Sequence, residues 1–508
     1  MEAVKRKGMM DRLLNFVEVT GNKMPDPVTI FIVLTAVFML ISCLLSYLGV
    51  TIEHPMTKKE VSVINMLSVS SLQNLLAGMV KNFQAFPPLG LVLVVMFGAG
   101  VADKTGFMAA LLKKSIAKTP KQFITLSIVF IGIVANAAGD AGFIVLPPLA
   151  GVIYASVGRH PLAGIFVAFA AVAAGFSANI MVNMLDILIA SFTIPAAQVI
   201  KPEYVQTPAM NYYFLVVSTV VLVIAAVFIT EKVIEPRLGE YKGAYKPEEK
   251  PIDDQAESLG LKYAGISFAV LTVLLIALCL GERPFLGDPK TGSLLSYNAY
   301  LMKGMVPIVA VFFLIPAVFY GIGVGRIKND KDVIAMMNQA MNELGGYIVL
   351  IFFAAQFLAV FTQSNMGIVL ATSGANFLKN IGFSGLPLIF CFLVFSSFIN
   401  MFVGSASAKW AILAPVFVPM FLLLGYDPAF TQMAYRIGDS ITNPVSPIFP
   451  YFPILIAFAK KYDKDIGMGK IIANMLPYSM VFGILWFALL AIFMIFDLPL
   501  GPGAGIYI

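Results

Sequence analysis

Long apolar runs alternate with short basic loops along this chain, and several runs reach the length of a bilayer crossing. Residues 28–50, 209–230, 261–281, 305–325 and 471–496 are almost wholly apolar, and about 20 such residues span a hydrocarbon core of about 30 Å. Other apolar stretches are interrupted. Residues 122–157 form two short halves around Asn136-Ala137-Ala138-Gly139-Asp140-Ala141-Gly142, and residues 384–425 form two more around the stretch from Asn400 to Trp410. Arms this short, joined by a polar turn, predict re-entrant hairpins, because irregular backbone at membrane depth survives only against protein or water. Residues 161–200 are interrupted at Gly175-Phe176-Ser177-Ala178-Asn179 and again at Asp186, and residues 428–458 from Arg436 to Pro444. Both read as crossings with a break.

Charge supplies direction. Basic residues gather at Lys5, Arg6, Lys7 and Arg12, at Lys113, Lys114, Lys118 and Lys121, at Arg326, Lys328 and Lys331, and at Lys460, Lys461 and Lys464. The positive-inside rule places such loops in the cytoplasm. The expected course is a cytoplasmic leader over 1–27 and a first membrane half over 28–230 containing the hairpin 122–157. A charged cytoplasmic linker over 231–260 and a second half over 261–508 with the hairpin 384–425 follow. Arg12 to Val17 suits a short interfacial helix. The first hairpin is flanked by Lys121 and Arg159 and opens inward; the second has only Lys379 beside it and opens outward. Nine crossings and two hairpins result, with an internal N-terminus and an external C-terminus. Asn136 before Leu146-Pro147-Pro148 resembles Asn400 before Leu413-Ala414-Pro415, and Gly175 to Asn179 resembles Gly438 to Asn443. Opposed hairpins with faint echoes predict an inverted-topology repeat. The fold class is therefore an all-α polytopic membrane protein with several broken helices.

Composition agrees and narrows the function. The chain is 59% hydrophobic and 12% charged, against roughly 25% charged in soluble domains. Its net charge of +6 lies in loops, so no nucleic-acid surface is indicated. Cys43, Cys279 and Cys391 fall in apolar segments, and His54 and His160 are isolated in loops. No disulfide, metal site, cofactor or catalytic base is expected, and the chain reads as no enzyme.

Against that background Asp140, Asp186, Arg436 and Asp439 stand out at membrane depth. Each costs of order +2.5 kcal/mol at the bilayer centre, so they must face a cavity or one another. Arg436 and Asp439, at i and i+3, admit a purely structural reading as a local ion pair, whereas Asp186 has no partner nearby in sequence. Asn136, Asn179, Asn400, Ser405, Ser407, Thr442 and Asn443 sit where Gly and Pro free backbone groups. Singly each could cap a broken helix; together, at four breaks, they suit a binding site for an anion or a cation. Lys409 and Trp410 add a cation and a flat ring, although Trp also serves as an interfacial anchor.

Three stretches carry a resemblance. Gly21-Asn22-Lys23-Met24-Pro25-Asp26-Pro27, the run from Asn400 to Trp410, and Tyr435-Arg436-Ile437-Gly438-Asp439-Ser440 with Asn443-Pro444 and Pro447 are similar to the p-aminobenzoyl-glutamate transporter (AbgT) family over essentially the whole chain. The resemblance implies a homodimer in a bacterial inner membrane that moves p-aminobenzoyl-glutamate or, by proton-driven export, sulfonamide antimetabolites. It places the family's functional positions on Asp186, Asn400, Trp410, Arg436, Asp439 and Pro447. On this reading Arg436 and the hairpin N–H groups hold carboxylate, Trp410 stacks on an aromatic ring and Asp186 carries the coupling proton. Sodium held by Asn136, Asn179, Asn400 and Asn443 is the rival coupling ion. An ion channel with the hairpins as filter is the rival of another class.

Overall fold

The computed structural model describes residue 25 and residues 27–508, apart from 54–57, 118–119, 139–140, 242–253, 295, 297 and 447–448. Residues 1–24 and 26 of the leader, with the interfacial helix expected there, and Asp140 and Pro447 thus lie outside the described residues. The described residues are mostly helical, and among them one two-stranded pairing joins Thr51–Glu53 (β1) antiparallel to Glu60–Ser62 (β2).

The elements follow in order: α1 (Pro27–Tyr47), α2 (Val69–Gln84), α3 (Pro87–Lys104), α4 (Phe107–Ala117), α5 (Ile124–Ala135), α6 (Ala141–Ser156), α7 (Pro161–Ala173) and α8 (Met184–Gln198). Then come α9 (Tyr212–Ile229), α10 (Glu235–Leu238), α11 (Asp254–Cys279), α12 (Tyr300–Lys303), α13 (Met305–Gly323), α14 (Asp330–Glu343), α15 (Gly345–Gln363) and α16 (Met366–Asn380). The chain finishes with α17 (Gly385–Asn400), α18 (Ala406–Leu423), α19 (Pro428–Thr442), α20 (Phe452–Lys460) and α21 (Met468–Ile495). Among the described residues eight helical runs are long and apolar enough to cross a membrane. The shorter apolar helices are the segments whose patterning predicted hairpins or breaks: α5, α6, α7, α8 and α17.

Burial sorts the helices by role. Every residue of α7, from Pro161 to Ala173, is buried, as expected of a helix apolar on all sides. Its small residues let neighbours close in: a Cβ on Gly164 would lie 2.5 Å from the carbonyl oxygen of Ala150 in α6. By contrast the apolar windows of α1 and α11 are only 11% buried within the chain. Leu40, Leu44, Val270 and Val273 are among the large apolar side chains they expose, and hydrocarbon is the solvent that suits them.

One boundary moves. The helix containing α9 does not stop at 230 but continues through a π turn at Thr230–Ile234 into α10, so the start of the expected linker is helix. Arg159 explains this. Its guanidinium grips Glu235 through Nε at 2.7 Å and Nη2 at 2.8 Å, reaches Glu231 at 3.3 Å, and donates to Thr125 Oγ1 at 2.8 Å. The base of the first hairpin is thereby clasped to the helix end, and the forked contact is the geometry that favours Arg over Lys.

Candidate functional site

The site is organised by α19. Asp427 caps it, accepting from the Ala429 N–H at 2.7 Å, with Pro428 in the first turn. It ends in a 3-10 turn over Asn443–Val445, where Pro444 can donate no further hydrogen bond. All residues from Pro428 to Ile441 are buried, yet Gln432, Arg436, Asp439 and Asn443 follow one another at helical spacing along one face. Each meets a partner from another element.

Arg436 Nη1 donates to Asp186 Oδ1 at 2.6 Å, with 2% and 1% of the two side chains exposed. Asp186 is also the N3 residue of α8. Its Oδ2 accepts from the Asn183 N–H at 2.8 Å, while Asn183 Oδ1 accepts from Leu185 at 2.9 Å and Asp186 at 3.3 Å. This reciprocal cap holds α8 where the first broken crossing resumes. Asp439 Oδ1 lies 2.6 Å from Lys409 Nζ, again with 1–2% exposure. The local Arg436–Asp439 pair of the structural reading is thus replaced by two pairs, each reaching out of α19. Such pairs give little net stability, but removing one partner of either strands a buried charge, at about 3–5 kcal/mol.

Asn400, the last residue of α17, ties the second hairpin to the break. Its Nδ2 lies within reach of the Asp439 carbonyl (2.6 Å), Thr442 Oγ1 (2.9 Å) and Asn443 Oδ1 (2.8 Å), and its Oδ1 accepts from Lys409. Ser405 caps α18, accepting from the Ala408 N–H at 3.3 Å, and lies 3.3 Å from Ser407. At the first hairpin, Asn136 and Asn179 both donate to the Ile133 carbonyl, at 3.2 and 3.3 Å. Asn443 Nδ2 reaches back to the Ala173 carbonyl at 3.2 Å, so the two breaks touch.

Trp410 is not the open ring that the sequence suggested. Its indole is fully buried, stacks on Tyr435 at 4.4 Å and 21°, and donates from Nε1 to Thr193 Oγ1 at 2.8 Å. With a neighbour already on its face, it serves here as part of a wall rather than as a vacant platform.

A cavity of about 400 Å³ opens where the breaks converge. Of the candidate residues, Asn136, Ser405, Ser407, Asp439 and Asn443 line it, whereas Asp186, Asn179, Asn400, Lys409, Trp410, Arg436 and Thr442 stand outside its lining. Residues the sequence did not single out complete the wall: Phe143 and Tyr451, stacked at 4.2 Å and 5°, with Phe449 beside them, and Asp103 and Glu343 at the α3 and α14 ends. Asn183, which caps α8 behind the wall, had a legible signal, the Asn-x-x-Asp spacing of a helix cap. Asn136 Oδ1, Ser177 Oγ and Ser440 Oγ are buried with no hydrogen-bond partner among the described residues.

A cavity framed by the polar breaks between short apolar helices, with paired charges behind its wall, is how transporters house solute and coupling ion away from lipid; the fold and site define a multi-pass membrane transporter. The profile of the AbgT putative transporter family matches residues 12–508, and the chain belongs to that family. It is 35% identical to the p-aminobenzoyl-glutamate transport protein of Escherichia coli (strain K12) over 503 residues, 99% of this chain and 98% of that one. The crystal structure of the Alcanivorax borkumensis YdaH transporter superposes with a TM-score of 0.90 at 38% identity, covering 94% of this chain and 100% of that one. Neisseria gonorrhoeae MtrF, described with a class of antimetabolite efflux pumps, superposes at 0.89 with 40% identity, over 97% and 100% of the two chains.

Proposed function

We propose that this protein is a secondary active transporter of p-aminobenzoyl-glutamate or a related aromatic carboxylate or sulfonamide, coupled to protons through the Asp439–Lys409 pair. The observation that carries this reading is the place of Asp439: it lines the cavity while its carboxylate neutralises Lys409 at 2.6 Å. A proton taken up by Asp439 from the cavity removes that neutralisation and leaves the ammonium charge just behind the wall to attract a carboxylate in the cavity. Deprotonation restores the pair and expels the anion. Asp186, expected from the sequence to carry the proton, is held by Arg436 on one oxygen and by the Asn183 N–H on the other, so it acts behind the wall. Phe143, Phe449 and Tyr451 offer the aromatic surface that Trp410 does not. One charge moved through 100 mV supplies about 2.3 kcal/mol, enough for a useful gradient from one or two protons.

In proteoliposomes, radiolabelled p-aminobenzoyl-glutamate uptake and sulfonamide efflux should follow an imposed pH gradient, and Asp439→Asn should abolish that dependence. Flux in Asp439→Asn still driven by the pH gradient would reject the assignment. A second reading rests on Asn136 Oδ1 at the cavity, which has no hydrogen-bond partner among the described residues: sodium bound there by amide oxygens and freed carbonyls. Replacing sodium by choline at fixed pH separates the two, and saturable, gradient-coupled flux separates both from a channel.

A further inference from the structure

One buried polar chain plays no part in the charge exchange proposed above. Trp410 Nε1 donates to Thr193 Oγ1 at 2.8 Å; Thr193 Oγ1 donates to Gln432 Oε1 at 2.5 Å; Gln432 Nε2 donates to Asn211 Oδ1 at 2.6 Å; Asn211 Nδ2 donates to the Ala429 carbonyl at 2.8 Å. The four side chains are 0–1% exposed. The indole N–H can only donate. The Thr193 hydroxyl therefore accepts there, and its one hydrogen faces two acceptors, Gln432 Oε1 at 2.5 Å and the Ile189 carbonyl of its own helix at 3.1 Å, of which the shorter contact is the one to Gln432.

The chain ties together α18, α8, α19 and the 3-10 turn at Pro208–Asn211, elements contributed by both halves of the sequence. It lies on the far side of the cavity wall. Gln432 precedes Asp439 by two turns of α19, about 10 Å at 1.5 Å per residue, in the direction of Asp427. Beyond it the C-terminal segment crosses this end of the molecule: the Asp427 N–H donates to the Ile506 carbonyl at 2.8 Å, and the Phe214 N–H to the Leu500 carbonyl at 3.1 Å. Toward the cavity, the ring of Trp410 presses on Tyr435, whose hydroxyl donates to the Ala406 carbonyl at 2.5 Å. Ala406 lines the cavity. The chain thus connects the Asp427 end of α19 to the site wall.

We propose that Trp410–Thr193–Gln432–Asn211 is the latch that closes the cavity on this side, with Thr193 and Gln432 as positioning residues that hold the indole against Tyr435. The proposal rests on the transport reading, since alternating access requires a seam that opens. A polar seam suits that task. When α18 and α19 part, water replaces each lost partner, so each hydrogen bond biases the seam toward closure by only about three- to tenfold, whereas an apolar seam would surrender its whole burial.

The test uses the full chain with Trp486→Phe, which leaves Trp410 as the only tryptophan. Quenching of its fluorescence by acrylamide is measured in detergent micelles without added solute, and solute flux in proteoliposomes. Thr193→Val, which keeps the shape and removes the hydroxyl, should raise quenching by about three- to tenfold, the population shift expected from one lost hydrogen bond. Thr193→Ser should restore wild-type quenching and flux. Unchanged quenching in Thr193→Val overturns the latch, as does an equal increase in Thr193→Ser, which would mark a packing defect. The quench needs no solute, so it judges the latch even if the unmodified protein moves none of the proposed solutes, a result that would defeat the transport reading alone.

Discussion

Asp186 and Arg436 stand 250 positions apart in the chain and meet at 2.6 Å in its interior. One opens the helix after the first break; the other lies in the helix before the second. Their contact joins the two broken crossings across the site, while Lys409–Asp439 joins the second hairpin to the same helix. Four ionisable groups that lipid would not accept are accommodated as two pairs. The unequal placement of those pairs relative to the cavity separates their roles.

Removing one partner should therefore cost more than removing both. Asp186→Asn leaves Arg436 buried without its carboxylate, and a loss of about 3–5 kcal/mol is expected. Asp186→Leu combined with Arg436→Met should recover most of that stability in detergent without recovering transport. Thermal unfolding and flux measured on the same preparations check this. A double variant that transports normally would show that the pair is only structural.

Gly438 sits between Arg436 and Asp439, and its place cannot be filled quietly. A Cβ there would lie 2.6 Å from the Leu393 carbonyl oxygen and 2.7 Å from Ser396 Cβ, so Gly438→Ala must push α19 from α17. Destabilisation of about 1–3 kcal/mol is expected, with transport falling further because both ion pairs shift together. Gly265, in α11, meets nothing within 4 Å. Gly265→Ala should leave transport intact and stabilise by about 0.5–1 kcal/mol. Equal transport in the two variants would contradict this account of α19.

These contrasts show where the sequence was readable. The two short helices within 122–157 and the breaks near Gly175 and Asn443 could be located because arm length, Gly, Pro and amide residues are local properties. The partners of Arg436, Lys409 and Trp410 could not, because pairs 250, 30 and 217 positions apart leave no periodic trace. The local Arg436–Asp439 pair was the only one that spacing could offer. Phe143 and Tyr451 were equally hidden, since an aromatic residue in an apolar run looks the same whether it faces lipid or a cavity. The helical start of the expected linker escaped for a related reason: Glu231 and Glu235 read as solvated until Arg159 supplies their partner.

Arg159 gives a further prediction. Its side chain is 23% exposed and bonds Glu235, Glu231 and Thr125 together. Arg159→Met should destabilise by about 2 kcal/mol, while Arg159→Lys, which keeps the charge but not the fork, should lie between the two. Because the cluster is partly solvated, part of the difference should fade in high salt. Unfolding in detergent at low and high ionic strength provides the measurement, and identical stability of Arg159→Met and the unmodified protein would dismiss the clasp.

His160 next to it predicts a pH dependence of definite sign. Its Nδ1 accepts from the Leu162 N–H at 3.2 Å, capping α7. Burial lowers its pKa from the ordinary imidazole value of 6.5, against the opposing pull of Glu235 and Asp463 and with a small further push from Lys470. The folded protein therefore binds this proton less readily than the unfolded chain. The contribution of the cap is complete above about pH 6.5 and is lost as pH falls through the lowered folded value. Protonation also removes the lone pair that the cap uses. Thermal stability in detergent should accordingly decline on acidification from pH 7 to pH 5. His160→Asn, which can cap but cannot titrate, should flatten that part of the profile while matching the unmodified protein near pH 7. A decline of the same size in His160→Asn would assign the acid sensitivity to other groups, such as the nearby Asp463–Lys470 pair.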